Sequence, residues 1–384
     1  MTAYLDHAAS TPMRPEAVAA MLPFLVEHPA NPSGSHAASR FAKNALEEAR
    51  ETVARVMGAM PAEVVFTGSG SEGDNLAVKG AAWAARAHDA SLDGVVTTGI
   101  EHKAVLGAAA RLGREGFRVT TVGATASGVV DLDALAAALD DRTAVVSVMT
   151  VNNETGICQP LAQVAALVRA RAPRAVLHTD AVQAPQWLDL RSACADADLV
   201  AISGHKFGGP KGVGVLVVRG AVPLVPLVEG GGHEGDRRAG TQNVAGIVAL
   251  ATALELTDCN RAEEIARIAE LRDGLERGLA ADVPGFSPNG DVTRRVAGLL
   301  HAAVPGVEAE ALLVALDQQG VYAASGSACS SGAIDPSHVL LAMGMPRERA
   351  LSSVRFSLGY ASTAADVDEA RRVVPEVVEK LRAM

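Results

Sequence analysis

The chain has 384 residues, 49% of them hydrophobic, which is more than one ordinary core holds and predicts two domains. Its formal net charge of -10 argues against broad nucleic-acid binding, which needs clustered Lys and Arg. Aromatic residues are only 3%, so the cores must be built from Ala, Val and Leu. The opening stretch "MTAYLDHAAS" has no basic region followed by an apolar run, so no secretory signal is expected, and no apolar run is long enough to span a bilayer. The first helix is expected at Pro15. "SHAASRFAKNALEEARETVARVMG" (35–58) is amphipathic at helical spacing and ends at Gly58, a natural C-cap. "EVVFTG" (63–68) reads as a strand and "NLAVKGAAWAARAH" (75–88) as a helix. "GVVTTG" (94–99), helical 102–116 and "FRVTTV" (117–122) come next, then a helix over 131–140 capped by Asp131. "TAVVSVMT" (143–150), "AVLHTD" (175–180), "ADLVAIS" (197–203) and "VGVLVV" (213–218) are further strands.

This alternation predicts an α/β fold with a large, mostly parallel sheet buried on both faces. Beyond about residue 240 the pattern changes to a long helical region (243–281), strand-like 294–303, a helix (308–319), short strands near 320–325 and 353–359, and a terminal helix near 364–383. We read residues 14–255 as the large domain. Residues 1–13 and 256–384 form a smaller α+β domain. The four cysteines, Cys158, Cys194, Cys259 and Cys329, are far apart and form no C-x-x-C. Neither a metal site nor a disulfide framework is suggested, and a cytoplasmic protein is the default.

In parallel sheets ligands bind beyond the carboxyl ends of the strands, so strand ends are where chemistry is sought. "FTGSGSEGDN" (66–75) joins a strand to a helix, with glycines for unusual backbone angles and Ser69 and Ser71 for hydroxyls. A phosphate suits such a helix start, though an ordinary capped glycine turn has the same composition. It matches neither a Walker loop nor G-x-G-x-x-G. Asp180 ends a strand, where an acid also serves as a helix cap. In "AISGHKFGGPKG" (201–212), Lys206 lies just past a buried-type strand and precedes a glycine turn. Lysines form Schiff bases with carbonyl cofactors, and burial lowers their pKa to help. Pyridoxal phosphate needs a phosphate cradle, a Schiff-base lysine and a carboxylate on its pyridinium nitrogen. Ser71 with its loop, Lys206 and Asp180 could supply them.

The chain resembles the cysteine desulfurases of the NifS/IscS type, class-V aminotransferase relatives with the fold-type I architecture of pyridoxal phosphate enzymes. The motifs that carry the resemblance run nearly end to end: "YLDHAASTP" (4–12), "EHKAVL" (101–106), "VNNETG" (151–156), "SGHKFGGPKGVG" (203–214), "RRAGTQN" (237–243), "SGSACSSG" (325–332) and "VRFSLG" (354–359). The resemblance implies Lys206, in preference to Lys211, as the Schiff-base lysine. It implies His102 as the ring-stacking histidine that also moves protons. Asn153 and Gln183 would serve the cofactor's phenolic oxygen, Asn153 the substrate also, and Asp180 the ring nitrogen. Gly70, Ser71, Ser203 and His205 would hold the phosphate. Thr241 would reach the phosphate from a neighbouring subunit, which implies a homodimer. Arg355, with help from Asn31, would clamp the substrate carboxylate, a task that suits a bidentate guanidinium. In the phosphate turn Ser71 stands where relatives have threonine and keeps the hydroxyl, while Gly73 is expected to loosen the helix start.

Cys329 lies on a loop of small residues (about 323–334), which lowers the steric cost of moving a thiol. The resemblance makes it the nucleophile that takes sulfur from L-cysteine as a persulfide, leaving alanine. It implies a protein acceptor for that sulfur, an iron–sulfur scaffold or a relay for nucleic-acid thiolation. A selenocysteine lyase and an aminotransferase on the same fold are the alternatives.

Overall fold

The computed structural model describes residues 2–326 and 335–383. Twelve strands are present among them. β1 is Ala3–Tyr4, β2 Val64–Thr67, β3 Gly94–Thr98, β4 Arg118–Val122, β5 Thr143–Ser147 and β6 Val176–Asp180. β7 is Leu199–Ser203, β8 Gly214–Val218, β9 Ser287–Pro288, β10 Leu299–Ala303, β11 Val321–Tyr322 and β12 Ser353–Ser357.

Seven strands form one sheet in the order β2-β8-β7-β6-β5-β3-β4. The run from β7 to β4 is parallel throughout, and only β8 is antiparallel to its neighbours. Two reversals around β8 point β2 the same way as β7. Every residue of β3, β5, β7 and β8 is buried, which is why these stretches read as continuous Val, Ile, Ala and Thr. Helices cover both faces. The helix Ala37–Met57 ends at Gly58, whose φ of 61° is the left-handed cap its sequence predicts. Asp131 accepts from the amides of Asp133 and Ala134, as its position predicts.

The helix Val244–Asp282 runs unbroken for 39 residues and packs against the helices Pro15–Val26, Ala37–Met57 and Ala364–Arg382. The division at 255/256 falls inside it. Beyond it, β10 pairs antiparallel with β9 and β12, and β1 pairs parallel with β11. No helix of the described residues is long and apolar enough to cross a membrane.

Candidate active site

Four neighbouring parallel strands deliver side chains to one edge of the large sheet. β3 leads to Glu101 and His102, β5 to Asn153, β6 ends on Asp180, and β7 leads through Ser203 into the turn Gly204–Lys206. β2 adds Gly68 to Ser71 on the same side. A cavity of about 460 Å³ opens there. Gly70, Ser71, Ser203 and His205 line one part of it, and His102, Asn153, Asp180, Gln183, Lys206 and Arg355 the rest.

The helix over Gly70–Asn75 begins earlier than its glycines suggest, because Ser69 Oγ accepts from Glu72 N and Glu72 Oε2 from Gly68 N. Gly73 therefore does not loosen the start. The helix continues through a π-turn, Leu76–Gly80, into Ala81–His88. Gly70 must be glycine for packing, since a Cβ there would stand 2.7 Å from Val182 Cγ2 and 3.2 Å from Ser203 Cβ.

Lys206 Nζ donates to the carbonyls of Ala8 and Ala9, which line the cavity with it. Burial, and then Arg355, push its amine down to about 8, against Asp180 and Asp6. Asp180 Oδ1 accepts from Val182 N at 2.9 Å. Burial raises its carboxyl from the usual range, while His102 and Lys206 oppose that rise. His102 caps the helix Lys103–Arg114 by accepting from Ala104 N on Nδ1, which leaves Nε2 as the ring's free nitrogen. Burial lowers its pKa. Burial also pushes His205 down to about 4, and its Nδ1 stands 3.3 Å from Ser10 Oγ.

In "VNNETG" the two asparagines divide the work. Asn152 Oδ1 accepts from Glu154 N, Thr155 N and Thr155 Oγ1 and fixes the turn. Asn153 Oδ1 is buried without a partner at the cavity. Arg355 Nη1 donates to Asn153 O at 2.7 Å and Nη2 to Asp6 at 2.8 Å, while its Nε is buried and unpartnered. Gln183 Nε2 donates to Ala8 O at 2.7 Å.

The chain does not bring every predicted residue here. Thr241 lines a separate small pocket with Phe66, Gly68 and Arg238. Asn31 is exposed before the helix Ala37–Met57, its Oδ1 accepting from Ser33 N. Cys329 lies outside the described residues. Burial pushes the thiols of Cys158 and Cys194 up to about 11, which keeps them protonated, and Cys259 is exposed. The structure also places residues that the sequence left without roles. Asp6 and Asp74 line the cavity, and Glu101 stands behind it with Oε1 accepting from Thr98 Oγ1 and Met149 N. "YLDHAASTP" and "GSEGDN" held the first two in view, but a lone acid in a motif reads equally as a cap.

The family model "Aminotransferase class-V" matches residues 3–370. A protein named "Cysteine desulfurase" from Trichormus azollae is 42% identical over 383 residues, covering 99% of this chain and 94% of its own length. One named "Cysteine desulfurase IscS" from Clostridium botulinum is 40% identical over 383 residues, covering 99% and 95%. A solved structure titled "NIFS-LIKE PROTEIN" superposes with a TM-score of 0.92 at 33% identity, covering 99% of this chain and all of that one. The chain belongs to the class-V aminotransferase family, among its NifS/IscS-type cysteine desulfurases.

Proposed function

We propose that the protein removes sulfur from L-cysteine with pyridoxal phosphate bound in the cavity at the sheet edge. The observation that carries this is Lys206, a half-buried amine lowered to about 8, held beside Asp180 in a cavity that also presents Arg355. The donor set fits the cofactor. A phosphate matches the hydroxyls of Ser71 and Ser203, His205 and the helix start that Gly70 keeps open. A cationic ring nitrogen matches Asp180, and a ring oxygen matches Gln183 and Asn153. When bound, the cofactor takes up the electrons released at the substrate's α-carbon.

The side chains do the rest. Lys206 anchors the cofactor and, as the free amine, accepts the α-proton. His102 covers the ring and handles a proton near the substrate thiol through Nε2. Arg355 takes the substrate carboxylate and exchanges Asp6 for it. The Cys329 thiol attacks the substrate sulfur, so that one S–S bond forms and the Cβ–S bond breaks. Cysteine and thiol thereby become alanine and a Cys329 persulfide, with no outside oxidant or reductant.

Thr241 completes the phosphate site of a second copy, so the working unit is a homodimer. Residues 14–255 form the cofactor-binding part, and 1–13 with 256–384 carry Arg355 and Cys329. The persulfide passes to an acceptor protein in the cytoplasm, an iron–sulfur scaffold or a thiolation relay. The test is the Cys329→Ala variant with L-cysteine and a reducing thiol. It should bind the cofactor and form neither alanine nor sulfide. Amino transfer at the wild-type rate without sulfide would instead make the chain an aminotransferase.

A further inference from the structure

Beneath Asp180 lies a second carboxyl that the reaction above does not use. Asp74 belongs to the helix Gly70–Asn75, and His178 precedes Asp180 by two residues on β6. Alternation along the strand puts His178 and Asp180 on one face. The side chains of His178 and Asp74 are 0% and 1% exposed. Asp74 Oδ1 and His178 Nε2 face each other at 3.5 Å, the outer limit of a hydrogen bond, and neither has another partner. His178 Nδ1 stands 2.9 Å from Ser147 Oγ on β5. Asp74 also has an oxygen within 4.8 Å of both a carboxylate oxygen of Asp180 and a ring nitrogen of His102.

Two carboxylates this close, away from water, repel strongly, so one of them takes up a proton. The surroundings decide which. Asp180 faces the basic groups of Lys206 and His102, which oppose the rise of its pKa, and accepts from a backbone amide. Asp74 faces Asp180 and Glu101, both acids, and the base nearest to it in a buried pair is His178, at 3.5 Å. Burial, with those two acids, drives Asp74 well above the carboxylate range, and burial pushes His178 down to about 3. Both shifts put the proton on the acid.

We propose that Asp74 is protonated and donates to His178 Nε2, so that of the facing carboxyls Asp74 and Asp180 only Asp180 carries a negative charge. His178 is then neutral, with Nδ1–H donating to Ser147 Oγ. Asp74 and His178 are positioning residues that act on the cofactor through Asp180. The proposal rests on reading Asp180 as the partner of the ring nitrogen.

The test is infrared difference spectroscopy of cofactor-loaded, full-length protein at neutral pH, wild type against Asp74→Asn. The expected difference is the loss of one protonated-carboxyl band, with the carboxylate bands unchanged. Loss of a carboxylate band instead would overturn the proposal. A second readout needs no substitution in the sample that tests the pair. In histidine labelled with nitrogen-15, the signal of His178, assigned by its loss in His178→Gln, should show Nδ1 protonated and Nε2 bare. A proton on Nε2, alone or together with one on Nδ1, would overturn the proposal. The nitrogen-15 shift of the cofactor ring separates the two readings. It should move in Asp180→Asn and stay in Asp74→Asn, because asparagine keeps a neutral donor. A shift in Asp74→Asn as large as in Asp180→Asn contradicts the neutral Asp74. An unmoved shift in Asp180→Asn contradicts the role given to Asp180, and the infrared band still decides the protonation of Asp74.

Discussion

The lowered pKa of Lys206 makes a quantitative prediction about cofactor capture. At pH 7 a pKa of about 8 leaves roughly one amine in ten uncharged, against roughly one in three thousand at the ordinary 10.5, a gain of about 300-fold. The cofactor-free protein, mixed rapidly with pyridoxal phosphate and followed by visible absorbance, should capture it at a rate set by that fraction. The rate should climb about tenfold per pH unit below pH 7 and flatten above about 8. Lys206→Ala should abolish the capture. A rate that climbs without a break through pH 10 would mean an ordinary lysine and refute the reasoning. The same shift has a sign in stability. The folded pKa lies below the unfolded one, so the unfolded chain binds more protons between about 8 and 10.5. This group therefore adds stability as pH rises through that window, and Lys206→Met should remove that slope from denaturation curves.

Three further substitutions probe the frame of the site. Gly70→Ala places a Cβ 2.7 Å from Val182 Cγ2 and should cost about 1–3 kcal/mol, with weaker cofactor binding seen by equilibrium dialysis; unchanged stability and binding would contradict the close packing. Arg355→Lys loses bidentate geometry worth roughly 1.5–3 kcal/mol, so KM for L-cysteine should rise by roughly 10–150-fold with cofactor affinity kept. Glu234 accepts from both Nη atoms of Arg50, from Phe66 N and from Gln242 Nε2, at a φ of 50°. Glu234→Ala leaves the buried Arg50 with only the more exposed Glu47 and the Val64 carbonyl as partners and should cost about 3 kcal/mol in urea denaturation, the low end for breaking a buried pair. In turnover assays L-cysteine should be a substrate, and near-exclusive use of selenocysteine would favour the selenocysteine lyase alternative.

Much of the site was legible because parallel strands announce their own ends. "AVLHTD" and "ADLVAIS" are buried runs that stop on polar residues, and the side chains just past each strand end line the cavity. Contacts made across the chain were less visible. Asp6 meets Arg355 over a separation of 349 residues, and Ala8 O receives both Lys206 and Gln183. Nothing local marks those carbonyls as acceptors. His178, two residues before Asp180 on the same strand, carries no local mark of its approach to Asp74, which comes from a different element. The helix Leu161–Arg171 was passed over although Leu161, Val164, Ala165 and Val168, its buried residues, fall at helical spacing. The early start of the helix at Gly70 escaped because glycines argue for a loop, and a single serine cap outweighs them.

The central claim is that Cys329 carries the sulfur. A single turnover of cofactor-loaded protein with L-cysteine, quenched with an alkylating agent and digested, tests it by mass spectrometry. The account predicts one added sulfur atom on the peptide holding Cys329, removed by a reducing thiol, with one alanine formed per modified site. Added sulfur on Cys158, Cys194 or Cys259 instead, or alanine formed at the wild-type rate by Cys329→Ala, would contradict it.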